Sequence, residues 1–183
     1  MKRKICSGII VLMLIVSIFS CKKIIASIFS GLEFNLPNMS VNIPAVPIVT
    51  AGEVQFGTIT QNINLDSVVK ANTGNSFGAD VVKAVSIKSI TITIPNADDL
   101  NNLSNFQSAR ISLTSNSNST SIDIANINFP DTNASTFVYT PASSTELVTY
   151  LKGSSLTYTL YGRNRRITTK TLTFTESVRL KVN

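Results

Sequence analysis

The sequence predicts an all-β protein, an antiparallel β-sandwich with two or three short helices, preceded by an N-terminal signal or anchor helix. Three observations lead there. Short runs alternate apolar and polar residues, most strictly in Ile90-Thr91-Ile92-Thr93-Ile94, and such alternation gives a strand one dry face and one wet face. Turn-formers punctuate these runs, among them Asn72-Thr73-Gly74-Asn75, Ser115-Asn116-Ser117-Asn118-Ser119 and Pro130-Asp131-Thr132-Asn133. The intervening connections are too short for repeated parallel crossovers, so the strands are expected to pair antiparallel. No internal repeat is evident, and residues 33–183 read as one domain, after a signal peptide over 1–20 and a tether or amphipathic segment over 21–32.

The chain opens with Lys2, Arg3 and Lys4, then an apolar run from Ile9 to Phe19 that stops at Ser20-Cys21. A basic head, a short apolar middle and a small residue before the stop read as an export signal. Ile18-Phe19-Ser20-Cys21 resembles the lipobox of bacterial lipoproteins and has a Bacteroidota-like character; Ile18 and Ser20 fit the pattern, and Phe19 departs from it. The resemblance implies cleavage before Cys21 and acylation of that cysteine. One acyl chain holds a protein only marginally, at about 0.8 kcal/mol per buried methylene, whereas the diacylglyceryl and N-acyl chains of the family would hold it durably. Two other readings remain: an uncleaved anchor over Ile5 to Ser20, and ordinary secretory cleavage nearby. Lys22 follows the cysteine, and the first acid is Glu33. By resemblance that places the protein at the outer membrane facing the periplasm, with display at the cell surface as the alternative.

Without residues 1–20 the chain keeps 163 residues, and its 16 cations fall to 13 against 10 acids, net +3. Cys6 leaves with the leader and Cys21 is consumed by lipid, so packing and hydrogen bonds must supply the stability. Charge is unevenly spread: Ile24 to Thr149 carries 4 cations and 9 acids, and Tyr150 to Asn183 carries 7 cations and Glu176 alone. Either the basic terminal segment is a binding face, or it lies beside acids of the same sheet; the second is the plainer expectation.

Ile24, Ile25, Ile28, Phe29 and Leu32 follow helical spacing, which suits a segment lying along a bilayer or packing as the first element of the domain. Met39, Val41 and Ile43 alternate between Pro37 and Pro44, which predicts an edge strand. Val54 and Phe56 alternate, and Ile59, Ile63 and Leu65 resume after a shift near Gly57, the mark of a bulge. Asp66 is expected to cap one helical turn. Ala84 to Ile94 is the strongest strand and belongs in the middle of a sheet, because unpaired it would aggregate.

After Pro95, Asn96 with Asp98 and Asp99 signals a helix whose face carries Leu100, Leu103 and Phe106. Ala109, Ile111 and Leu113 mark a strand, answered across the serine–asparagine loop by Ile122, Ile124, Ile127 and Phe129. Phe137-Val138-Tyr139 is a short strand. Ser143-x-x-Glu146 has the spacing of a capping box, opening a helix through Leu147, Val148 and Leu151 to Gly153. Leu156, Tyr158 and Leu160, then Leu172, Phe174, Val178, Leu180 and Val182, predict a terminal hairpin around Gly162-Arg163-Asn164-Arg165-Arg166. Glu176 interrupts its apolar face. A bulge or rim position explains it, or a buried carboxylate paired with Arg179 or Lys170.

Histidine is absent from the sequence and so is Trp. That removes histidine bases, Ser-His-Asp triads and ordinary catalytic zinc sites, and leaves no indole to stack a sugar. Carboxylate-only hydrolysis stays formally open, but no cofactor, metal site or nucleic-acid partner is expected. Asp98-Asp99-Leu100-Asn101-Asn102 offers oxygen ligands for Ca²⁺ without a recognised loop spacing, and helix capping explains it better. Arg163, Arg165, Arg166 and Lys170 form a candidate patch for phosphate headgroups, lipopolysaccharide or an acidic partner, against a solvated loop tip. Asp66-Ser67-Val68 resembles the O-glycosylation site of Bacteroidota, which would modify Ser67. The function expected is a non-enzymatic binding or scaffolding domain, membrane-anchored through Cys21, with an envelope protein as partner; a surface-displayed glycan-binding or adhesion module is the alternative.

Overall fold

The computed structural model describes residues 31–49 and 51–182. The predicted leader, Cys21 and the tether up to Ser30 lie outside them. Among the described residues nine strands follow in order: β1 (Glu33–Asn35), β2 (Met39–Ile43), β3 (Val54–Asn62), β4 (Val85–Thr93), β5 (Phe106–Ser115), β6 (Ile122–Asn128), β7 (Thr136–Tyr139), β8 (Ser155–Asn164) and β9 (Leu172–Val182). Two helices interrupt them, α1 (Leu65–Asn72) and α2 (Val148–Leu151). One sheet runs β1-β9-β4-β7 with β2 also on β9, and the other runs β3-β8-β5-β6. Every pairing is antiparallel.

β2 pairs with residues 172–176 of β9 and β1 with residues 179–181, so the two share one edge in tandem. Counted as one strand, they leave eight strands in two facing sheets of four. That arrangement is a jelly roll, and the predicted antiparallel sandwich is the fold observed. The edge position of β2, the central position of β4, the β3 bulge at Phe56 and the Ser115–Ser119 turn into β6 all agree with the sequence.

The core lies between the sheets. Ile90, Ile92, Ile111, Leu151, Val178 and Leu180 are wholly buried, each contributing roughly 1.5–3 kcal/mol relative to exposure. Phe56, Phe106 and Phe174 meet at its centre, with Phe106 and Phe174 edge-on at 4.8 Å between centroids. An added Cβ at Gly162 would lie 2.1 Å from the Phe56 ring, so only glycine fits there. Extra residues bulge at Lys88 in β4, Gln107 in β5 and Ile124 in β6. The last buries both Ile124 and Ala125 and explains why the apolar parity changes along β6.

Five local expectations are corrected. β8 and β9 do not form a hairpin; each is central in a different sheet, and residues 165–171 carry the chain across. Alternation reports that one face is buried, not which strand lies alongside. No α-helix follows Pro95. Instead Asp98 accepts hydrogen bonds from the amides of Leu100 and Asn101, while Asn96 bonds Thr171 and Thr173 across the loop. Short Asn and Asp side chains compete for backbone groups in this way and favour turns over helix. Leu100 is left 75% exposed, Phe106 starts β5, and only a 3₁₀ turn forms, over Leu103–Asn105. α1 is capped by Asn64, whose side chain accepts from the Ser67 amide, not by Asp66. Asp66 lies in the first turn, bonding the Ala79 amide and pairing with Lys70 at 2.6 Å.

The Ser143–Glu146 capping box does not form either. Glu146 Oε1 accepts from the amides of Val85 and Val148, both at 2.9 Å, and so ties the start of β4 to α2. Finally, Glu176 is buried at 3% exposure and, among the described residues, has no cation paired with it. Arg179 pairs with Glu33 and Lys170 with Asp98. Glu176 stands between Met39 and Ile92, its Oε1 has no hydrogen-bond partner, and burial pushes its carboxyl up to about 7.

Candidate functional site

Alternation along β3, β8, β5 and β6 leaves one set of side chains on a single outer face. The register aligns them into rows across the strands. Thr60, Thr157 and Thr114 form one row; Thr58, Thr159, Ser112 and Asp123 form the next. Gln55, Tyr161, Arg110 and Asn126 make a third, and Arg163, Ser108 and Asn128 a fourth. Hydroxyls bond across strands, Thr60 to Thr157 at 2.9 Å and Thr58 to Thr159 at 3.2 Å. β-Branched side chains are stiff at χ1, so this carpet of donors and acceptors is ordered before anything meets it.

Arg110 is the hub of the face. Its Nη2 donates to Glu53 at 2.7 Å, and its Nη1 donates to Ser112 at 2.8 Å and Asp123 at 3.0 Å. The guanidinium carbon sits 3.9 Å from the Tyr161 ring centroid, a cation–π contact. The bond to Glu53 and that to Asp123 push the Arg110 pKa up against the effect of burial. Burial raises the Asp123 pKa, but the Ser112 hydroxyl and the Arg110 guanidinium outweigh it and hold the carboxyl below its usual range. Beside this fixed charge lies a cleft of about 240 Å³ lined by Glu53, Ser108, Arg110, Asn126 and Asn128. Among the described residues, the side chains of Ser108, Asn126 and Asn128 make no hydrogen bond. A smaller cleft of about 200 Å³ on the far side of Asn126 is bordered by Asp123, Tyr139 and Ser143.

The residues singled out in the sequence sit elsewhere, with one exception. Arg165 and Arg166 lie in the β8–β9 crossover, where Arg166 grips Asp131 with two bonds of 2.6 and 2.7 Å. Arg165 donates to the Phe129 carbonyl and also lies 3.5 Å from Asp131. Lys170 pairs with Asp98 at 2.6 Å; with the Asn101 bonds, that pushes the Asp98 carboxyl down to about 2. Four of the seven cations from Tyr150 onward, Arg165, Arg166, Lys170 and Arg179, thus pair with acids from earlier in the chain. Arg163 is the exception: it projects from β8 on the outer face, and among the described residues it has no ion pair. Ser67 is exposed on α1. The Asp98–Asn102 run is an asparagine-braced turn in which Asn102 caps the 3₁₀ turn. Among the described residues no three His, Cys, Asp or Glu side chains group to hold a metal.

The face itself was not anticipated as a site. Its signal lay in the polar parity of each strand: Ser108, Arg110 and Ser112 beside Ala109, Ile111 and Leu113, and Asn126 and Asn128 beside Ile127. Which strands lie side by side, and hence which polar residues meet, depends on tertiary pairing.

No protein-family model matches the chain, and no curated protein matches it. Among solved structures, a family 32 carbohydrate-binding module from C. perfringens NanJ, in complex with galactose, shares 11% identity; the match covers 81% of this chain and 99% of that one, at a TM-score of 0.37. The decameric BFDV capsid protein shares 10%, covering 84% and 98%, at 0.36. A structure of infectious bursal disease virus Gt strain shares 7%, covering 83% of this chain and 32% of that one, at 0.39. Likenesses this distant carry no argument about activity or ligand.

Proposed function

We propose that this chain is a non-enzymatic binding or scaffolding domain tethered to a bacterial membrane through lipid on Cys21. The observation that carries the binding role is the ordered outer face of the β3-β8-β5-β6 sheet. Rows of hydroxyls and amides stand there at strand spacing on rigid elements, flanking a guanidinium locked by two carboxylates. Preorganised polar side chains on a sheet lose little entropy when a partner binds, which is what a recognition surface needs. The absence of histidine from the sequence supports the non-enzymatic part. The Ser20-Cys21 junction supports the anchor, and Lys22 after it supports a periplasm-facing position on the outer membrane, with an envelope protein or glycan as partner.

Labelled palmitate and a Cys21→Ser variant test the tether: the wild type should incorporate label and partition with membranes, and the serine variant should do neither. A serine variant equally membrane-bound would overturn the anchor. Protease added to intact cells should spare the domain; digestion would instead place it on the cell surface. For the face, Thr157→Arg should abolish in-cell crosslinking to an envelope partner, and crosslinks indifferent to that change would remove the face from the function.

A further inference from the structure

The cleft beside Arg110 constrains what can occupy it. Asn126 is the row partner of Arg110, and Asn128 is the row partner of Ser108. Row neighbours on adjacent strands stand about 4.8 Å apart, and successive outward residues on one strand about 6.8 Å apart. That rectangle is the size of a six-membered sugar ring with its hydroxyls. Ser108, Asn126 and Asn128 are uncommitted, and each amide presents two donors and a carbonyl acceptor. A vicinal diol, which donates and accepts at once, uses both.

Charge narrows the class. Arg110 lies between Glu53 and Asp123, and Arg163 adds a second guanidinium on β8. Two cations against two carboxylates leave the neighbourhood formally neutral. An anionic ligand would face Glu53 in the cleft lining, whereas Arg163, without an ion pair among the described residues, stands outside that lining on β8; a neutral ligand meets no such repulsion. The volume, about 240 Å³, is smaller than the sites that enclose drug-sized ligands and suits one ring of a longer chain.

We infer that this cleft binds a single neutral hexose unit of a glycan, held by Asn126, Asn128 and Ser108 beside the fixed Arg110 guanidinium. The inference rests on the binding-domain reading above and names its site and ligand class. β6 is the edge of this sheet, and Asn126 also lines the second cleft, which is bordered by Tyr139 and Ser143.

The test is saturation-transfer NMR on the full chain with glucose, galactose, mannose, N-acetylglucosamine and glucuronate as probes. At least one neutral hexose should bind saturably, and Asn126→Ala or Asn128→Ala should weaken it about tenfold. Both residues are exposed, and unchanged far-UV dichroism will show that the variants fold. Ser67→Ala, exposed on α1 and outside the sheet, should leave affinity unchanged. Failure of every neutral hexose to saturate, binding indifferent to both asparagines, or binding of glucuronate alone would overturn the assignment. If no hexose binds but an envelope crosslink is lost in Thr157→Arg, the sugar site falls while the binding domain stands; if no hexose binds and the crosslink is indifferent to Thr157→Arg, both fall.

Discussion

Replacing Glu176 by Gln should convert a stability that falls with pH into one that is nearly flat. Glu176 is 3% exposed in the sandwich interior, between Met39 of β2 and Ile92 of β4. The titratable group facing it from the other sheet is the Tyr158 hydroxyl, itself without a hydrogen-bond partner and pushed up first by burial and then by the Glu176 charge. Among the described residues no cation offsets the carboxylate, and burial pushes its pKa from 4.5 to about 7. A carboxyl raised on folding holds its proton in the native state at pH values where the unfolded chain has released it. Stability is therefore full below about pH 4.5 and declines as pH rises to about 7, where the folded group ionises as well. At about 1.4 kcal/mol per unit the loss comes to about 3 kcal/mol. Urea unfolding followed by circular dichroism from pH 5 to 8.5 measures it. Asp98, Asp66, Asp123, Asp131 and Glu33 are all held below their usual range and stay ionised throughout that window. The wild type should lose stability toward neutrality while Glu176→Gln does not, leaving the variant the more stable at pH 8. Parallel pH curves for the two proteins would refute the reasoning.

Gly162→Ala should destabilise by about 1–3 kcal/mol in urea unfolding, because the new methyl enters the Phe56 ring and pries at the Phe56–Phe106–Phe174 cluster. Asn105→Ala should cost about 3 kcal/mol by the same assay, since Asn105 accepts from the Asn102 amide and donates to the Leu100 and Ile167 carbonyls. Glu146→Ala should cost about 1–3 kcal/mol and speed hydrogen exchange at the Val85 and Val148 amides, which lose their shared acceptor. Asp98 should titrate by carboxyl NMR at about pH 2 rather than 3.8, and its lowered pKa means that its stabilising effect is lost as pH falls through that range. Asp98→Asn, which cannot pair with Lys170, should loosen the 96–102 turn first, seen as faster exchange at the Asn101 amide.

Local pattern carried much of the architecture. Ile90-Thr91-Ile92-Thr93-Ile94 announced a central strand, and the step in parity at Gly57 announced a bulge, because side-chain period and face are properties of a single strand. Where two signals competed at short range, pattern misread the outcome: Asn96, Asp98 and Asp99 looked like a helix start, yet their side chains bonded turn amides and a distant loop instead. The candidate site was still less legible. Arg110 stood alone in a polar parity, and nothing near it in sequence identified Glu53, 57 residues away, as its partner.

By itself the sequence determined an antiparallel sandwich of short strands, the absence of histidine chemistry, and which face of most strands is buried. Only tertiary structure decided that β8 and β9 part into opposite sheets, that Glu176 goes without a cation, and that Asn126, Arg110 and Tyr161 share one row. The physical reason is that alternation is set within a strand by backbone geometry, whereas the choice of neighbour depends on how all the buried faces pack at once.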